Sequence, residues 1–431
     1  VNRRTAMEKP DDLAEQLIDL SLELVCNLGL ENYSIRNVAA AANCSNTPIT
    51  SRFKNKSGLI RAVQKRAFAL DSEFHNQLAQ QLVGMPINSA TLTTFLRSYL
   101  QQRSKLNTAR FWSEVIAKFD QGLSSRAEIQ RWHDMRIDFW QQILARSDIP
   151  YHPQFAETLC CYLFMEEFYI YELADDLNYQ LLMDESIKAL LSGSFDAEPE
   201  SRRGEVIRWL NKNSAQFPDF EPHERSELAN RLLDLAGDAI RKKGLNALSL
   251  RTLTTKAGVS SAAIAYHFGN MANFSNEALW HVLLRELPAQ FDPTKVPERQ
   301  RDIKEWADYL RVLTRSADEG KPPGFYNEYS RLTGQACLLA RQDHLLHPLI
   351  NHLRQIDGWG TYRAGNAFWP AQFSVDRGNA TTFGIWIKGR SMLQEAISDQ
   401  ALIPAEEFIN AAEILLQPTA KSEPQQAASD L

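Results

Sequence analysis

Sliding the 431-residue chain along itself by 215 positions lays residues 13–59 on residues 228–274 without a gap. Fourteen of these 47 aligned positions are identical, where average composition gives about three. The identities include Leu13/Leu228, Leu17/Leu232, Asp19/Asp234, Gly29/Gly244, Ser34/Ser249, Arg36/Arg251, Ser45/Ser260, Ile49/Ile264, Phe53/Phe268 and Asn55/Asn270. A solenoid repeats a short unit many times, whereas one unit present twice predicts two similar domains on one chain.

Each copy reads as four helices. Leu13, Leu17, Leu20, Leu24 and Leu28 recur at spacings of three and four, which makes one apolar stripe. Gly29 and Gly244 are expected to end that helix through a left-handed residue. Ser34 and Ser249 stand as N-caps of a short second helix, and Ser45 and Ser260 as N-caps of a third. The turn between them runs through Asn43 or Gly258, residue types that tolerate positive φ. Asn55 and Asn270 are expected to cap a longer fourth helix. Two short helices joined by a tight turn behind a supporting helix form a helix-turn-helix.

These residues resemble the N-terminal DNA-binding domain of tetracycline-repressor (TetR) family regulators. The second copy carries Ala257-Gly258-Val259-Ser260 and Tyr266-His267-Phe268; the first carries Phe53-Lys54-Asn55-Lys56 followed by Leu59. The resemblance implies an all-α chain of two tandem TetR-like units, each a head with a helical ligand-binding and dimerisation body. The expected segments are a first head over 8–67 and its body over 68–200. A linker over 201–223 leads to a second head over 224–279, its body over 280–417 and a disordered tail over 418–431. The helices before Ser192 and before Leu416 are the expected pairing elements.

Charge is concentrated where the resemblance falls. The chain carries −6 overall, yet residues 34–66 hold Arg36, Arg52, Lys54, Lys56, Arg61, Lys65 and Arg66 with no carboxylate. Such a run supplies phosphate contacts and counterion release on double-stranded DNA. The matching span of the second copy has only Arg251 and Lys256 against Glu277. The candidate DNA-binding residues are Ser34, Arg36, Ser45, Asn46, Thr47, Thr50, Ser51, Arg52, Lys54 and Lys56 in the first head. In the second they are Ser249, Arg251, Ser260, Ser261, Ala262, Ala265, Tyr266 and His267. The resemblance assigns the grip on backbone phosphates to a Tyr and a Lys. The first head has Thr50 at the Tyr position and keeps Lys56, whereas the second has Ala265 and Met271.

The expectation is therefore a repressor whose two unequal heads form an internal pseudo-dimer on a non-palindromic operator, released by a small apolar effector. Further self-association stays open. The competing reading is an interaction or ligand-sensing protein whose heads have lost DNA. Aromatics such as Phe164, Phe168, Tyr169, Tyr171, Phe368, Trp369, Phe373, Phe383 and Trp386 read first as core or interface, and second as lining of an effector pocket.

Other classes find little support. No run of about 18 apolar residues suggests a membrane span. No HExxH, Walker A or GxSxG motif points to an enzyme or a cofactor. His344, His347 and His352 read as locally bonded rather than as metal ligands. The five cysteines are odd in number, lack a CxxC and include the adjacent pair Cys160-Cys161. They fit a reducing cytoplasm, with that pair buried on a helix.

Overall fold

The computed structural model describes residues 10–147, 151–192, 204–213, 225–243, 250–284, 300–318, 320–341, 343–365 and 368–418. Ser249, Gly244, the Pro-containing linker and the polar tail from 419 onward lie outside the described residues. What is described is almost wholly helical. A two-residue antiparallel ladder pairs Phe373 with Pro418 and Ser374 with Gln417.

The first four helices are α1 (Pro10–Asn32), α2 (Ile35–Ala41), α3 (Asn46–Phe53) and α4 (Lys56–Gln81). They are followed by α5 (Ser89–Arg103), α6 (Asn107–Ala117), α7 (Arg126–Leu144), α8 (Phe155–Leu173) and α9 (Leu177–Ser192). A short α10 (Glu205–Asn213) leads to α11 (Glu227–Lys243), α12 (Leu250–Ala257), α13 (Ser261–Phe268) and α14 (Met271–Leu284). The chain ends with α15 (Ile303–Leu313), α16 (Phe325–Ala340), α17 (His347–Gln355), α18 (Trp359–Ala364), α19 (Arg377–Ile397) and α20 (Ala405–Leu415). Gly358, at φ 71°, precedes the short α18.

Gly29 has φ 75° and ψ 156°, and helical backbone resumes beyond it to Asn32. The expected stop is a kink instead. The Leu30 N–H donates to Glu114 of α6 at 3.2 Å, so a carboxylate from the neighbouring bundle takes the donor that the break frees. Helix α4 runs unbroken across residues 67 and 68, and α14 across 279 and 280. Each expected head-to-body boundary therefore falls inside a continuous helix.

The interior around α4, α5, α7 and α8 is filled. Asp71, Arg103, Arg136 and Glu167 are buried together. Arg103 Nε lies 2.9 Å from Glu167 and Arg136 Nε 3.3 Å from Asp71, while a second Arg103 nitrogen pairs with Asp71. Trp132 Nε1 donates to Asp71 at 2.6 Å. Two carboxylates and two guanidiniums cancel, the condition under which such charges tolerate burial. The cavity beside them, lined by Tyr99, Trp112, Trp140 and Phe164, measures about 10 Å³, room for one water at most. Of the aromatics considered as pocket lining, Phe164, Phe168, Tyr169, Phe368, Trp369, Phe383 and Trp386 are core residues.

The two halves pack through α8 and α9 against α19 and α20, with α16 and α17 also on α8. A β-carbon on Gly389 would stand 2.0 Å from the Cys161 carbonyl oxygen, so only glycine allows α19 this close to α8. Cys160 and Cys161 are buried free thiols within that contact. Arg354 of α17 pairs with Glu166 of α8 at 3.0 Å and donates to Ser186 of α9 at 3.0 Å, every partner buried. Lys388 of α19 meets Asp357 and the Tyr169 hydroxyl. At the rim, His347 lies 3.2 Å from Glu172 and Asn351 donates to Asp176 at 3.2 Å. The linking α10 is pinned as well, because Glu185 accepts from the Val206 and Ile207 N–H groups at its N-terminus.

Replacing Glu166 with Gln (E166Q) leaves the Arg354 guanidinium buried without its counter-charge. Urea unfolding should show a loss of about 3–5 kcal/mol, the usual cost of breaking one partner of a buried pair.

Candidate nucleic-acid interface

Helices α2 and α3 are joined by a turn in which Asn43 takes φ 50°. The Cys44 N–H closes the turn on the Ala39 carbonyl at 2.9 Å. Ser34 caps α2 by accepting from Asn37 N at 3.3 Å. Ser45 occupies the N-cap place of α3 with extended backbone, but its side chain makes no cap bond. Ile49 is fully buried and Phe53 partly so, which turns the opposite side of α3 outward. Asn46, Thr47, Thr50, Ser51 and Arg52 are exposed on that side. In this state several are satisfied locally. Thr50 donates back to the Asn46 and Thr47 carbonyls at 3.2 Å. Ser51 and Arg52 both donate to the Pro48 carbonyl, at 3.1 and 3.0 Å.

Arg36, Lys54, Arg61 and Lys65 are also exposed, whereas Arg66 is paired with Asp19 at 2.9 Å. Lys54 sits between α3 and α4 at φ 67° and ψ −55°, with the Asn55 N–H closing a γ-turn on the Phe53 carbonyl at 2.8 Å, a strained conformation that costs a side-chain-bearing residue about 1–3 kcal/mol.

Lys56 is half-buried. Its ammonium donates to the Leu30 carbonyl at 2.8 Å and lies 5.7 Å from the Tyr33 ring centroid. Burial, then the nearby Lys118 charge, lowers its pKa. The Leu30 carbonyl is among the last four of α1, which ends at Asn32, and the first residue of α4 can reach it. Lys56 thus ties α1 to α4. Beside it, Lys118, which follows α6, lies 3.7 Å from Glu31 and 3.5 Å from Glu114. No local pattern in the sequence marks this joint between the four-helix unit and the bundle, since groups that meet across it, such as Leu30 and Glu114, lie 84 residues apart in the chain.

Helices α12 and α13 show the same local geometry. Gly258 takes φ 70°, and Val259 N donates to the Thr254 carbonyl at 3.0 Å. Ser260 again holds the N-cap place without a side-chain bond. Ile264 and Phe268 are buried, while Ser261, Ala262, Ala265 and Tyr266 are exposed. His267 is half-buried, with Nδ1 3.4 Å from the Ser226 hydroxyl. Gly269 follows at φ 78°. Arg251 and Lys256 are exposed on α12, but Arg225 is paired with Glu277 at 2.8 Å and Arg241 with Glu328 at 3.4 Å.

A short solvent-facing helix set behind a tight turn, with cations along its flanks, defines the class of DNA-binding helix-turn-helix domains. Residues 232–278, spanning most of α11 through α14, match the family model for bacterial regulatory proteins of the tetR family. This match supports a DNA-binding transcriptional regulator of that kind. No curated protein matches the chain.

Two lysines two residues apart should separate in experiment. K54G should raise stability by about 1 kcal/mol by relieving the positive φ, and flatten the salt dependence of DNA binding. K56M should cost about 1.5–3 kcal/mol, as expected for a hydrogen bond from a charged donor, and leave the salt slope unchanged. Urea titration and binding at several ionic strengths check both.

Proposed function

We propose that the chain is a transcriptional repressor whose α1–α4 and α11–α14 units descend from one duplicated unit. They act as an intramolecular pseudo-dimer on a non-palindromic duplex site. What supports the duplication best is the recurrence of special positions at the 215-residue offset. Positive φ falls at Asn43 and Gly258 and again at Lys54 and Gly269. Asn55 and Asn270 both cap the following helix, accepting from Gly58 N at 2.9 Å and Asn273 N at 2.8 Å. The α1–α4 strap Asp19–Arg66 recurs as Asp234–His281, each at 2.9 Å. Backbone strain, caps and a polar strap have no reason to share one offset by accident.

The proposed heads take residues 8–67 and 224–279, and the proposed bodies 68–200 and 280–417. The first head binds the backbone more strongly, through Arg36, Arg52, Lys54, Arg61 and Lys65. A small apolar effector would act on the head-to-body joints, Glu114 with Leu30 and Arg241 with Glu328. It could shift the DNA-competent population only by its differential affinity for two joint arrangements.

The competing reading, an interaction protein without DNA binding, draws on the inward Lys56 and the ion-paired arginines of the second unit. Salt titration separates the two. Five phosphate contacts give a slope of log K on log salt of about −4 to −5. Replacing Arg52 and Lys54 together with Ala should reduce its magnitude by about 2. A flat or absent response to duplex DNA would favour the interaction protein.

A further inference from the structure

We propose that α13 reads thymine methyl groups in the half-site taken by the second unit. The inference rests on the DNA-binding reading above and names what the second unit recognises.

Ser261, Ala262, Ala265 and Tyr266 share the outward side of α13, one turn apart in pairs. Tyr266 is 85% exposed, more than any other large apolar side chain among the described residues. Its ring stands edge-on to His267, with centroids 5.0 Å apart and planes at 86°. The ring therefore projects from the helix without packing into the core, although the far side of the same helix is anchored by Ile264 and Phe268. Beyond the Ser261 hydroxyl and the phenol oxygen, this face consists of two methyl groups and an aromatic ring. It has no guanidinium, amide or carboxylate with which to pair a purine edge bidentately.

In the major groove, thymine differs from every other base by its C5 methyl, and alanine and aromatic side chains recognise it by apolar contact. The first unit differs at each aligned place. Asn46, Thr47, Thr50 and Ser51 stand where the second has Ser261, Ala262, Ala265 and Tyr266, and an amide such as Asn46 suits adenine. Exposed Arg251 and Lys256 on α12 supply phosphate contacts that would seat α13 in the groove.

The test begins with selection of duplexes bound by the full chain from a random library. The selected duplex is then resynthesised with deoxyuridine for thymidine in one half at a time, which removes the methyl and leaves the base-pairing edges unchanged. Substitution in the half bound by α13 should weaken binding by roughly fourfold for each recognised methyl removed. Y266A should bind the thymine duplex more weakly and no longer distinguish the two at the position its ring contacts, whereas Y266F should retain the penalty. Equal affinity for both duplexes in either half, or a penalty that Y266A leaves intact, would overturn the proposal. Salt-dependent binding without sequence preference overturns it too but spares the DNA-binding reading. Absence of salt-dependent binding removes both.

Discussion

The approach of α19 to α8 is the contact on which the rest of the molecule hangs. The Cys161 carbonyl occupies the space a β-carbon on residue 389 would need, and buried charges on either side fix how the helices register. Arg354 finds Glu166 and Ser186, and Lys388 finds Asp357 and Tyr169. Buried pairs add little net stability, yet they penalise any sliding that would strip a charge of its partner. The 26-residue α4, about 39 Å long, is linked to α8 through the Asp71–Arg103–Glu167 pairs and begins just after the α2–α3 pair. The Asp71–Arg103–Arg136–Glu167 network grips its middle.

Local features were legible in the sequence because the signal and its consequence lie within a few residues of each other. Asn43 and Gly258 adopt the positive φ their types allow, and Asn55 and Asn270 cap as read. The outward side of α3 followed from Ile49 and Phe53 at i, i+4. Serines 45 and 260 show the limit of this logic. They take the N-cap backbone without the side-chain bond, for backbone conformation and rotamer are separate choices.

Long-range features were not legible. Lys56 looks like a phosphate ligand in a basic run, and nothing around it announces that it also donates to a carbonyl 26 residues earlier, near the end of α1. Nothing near Glu114 announces that it will receive the Leu30 N–H, 84 residues away. The four-charge network joins α4, α5, α7 and α8, and the sequence offered only isolated ionisable residues within apolar helices. The Asp19–Arg66 and Asp234–His281 straps were half visible. The aspartate is identical in both copies, while its partner changes from Arg to His and keeps the capacity to donate.

Both faces of the α8–α19 contact are synthesised as parts of one polypeptide. Their encounter is unimolecular, governed by the effective concentration the tether imposes and not by how many molecules a cell contains. Dilution cannot part them. A binding site served by separable subunits loses occupancy steeply once subunits become scarce, since two must first meet. Under the proposed pseudo-dimer reading, occupancy of a site would fall only in proportion to the number of chains.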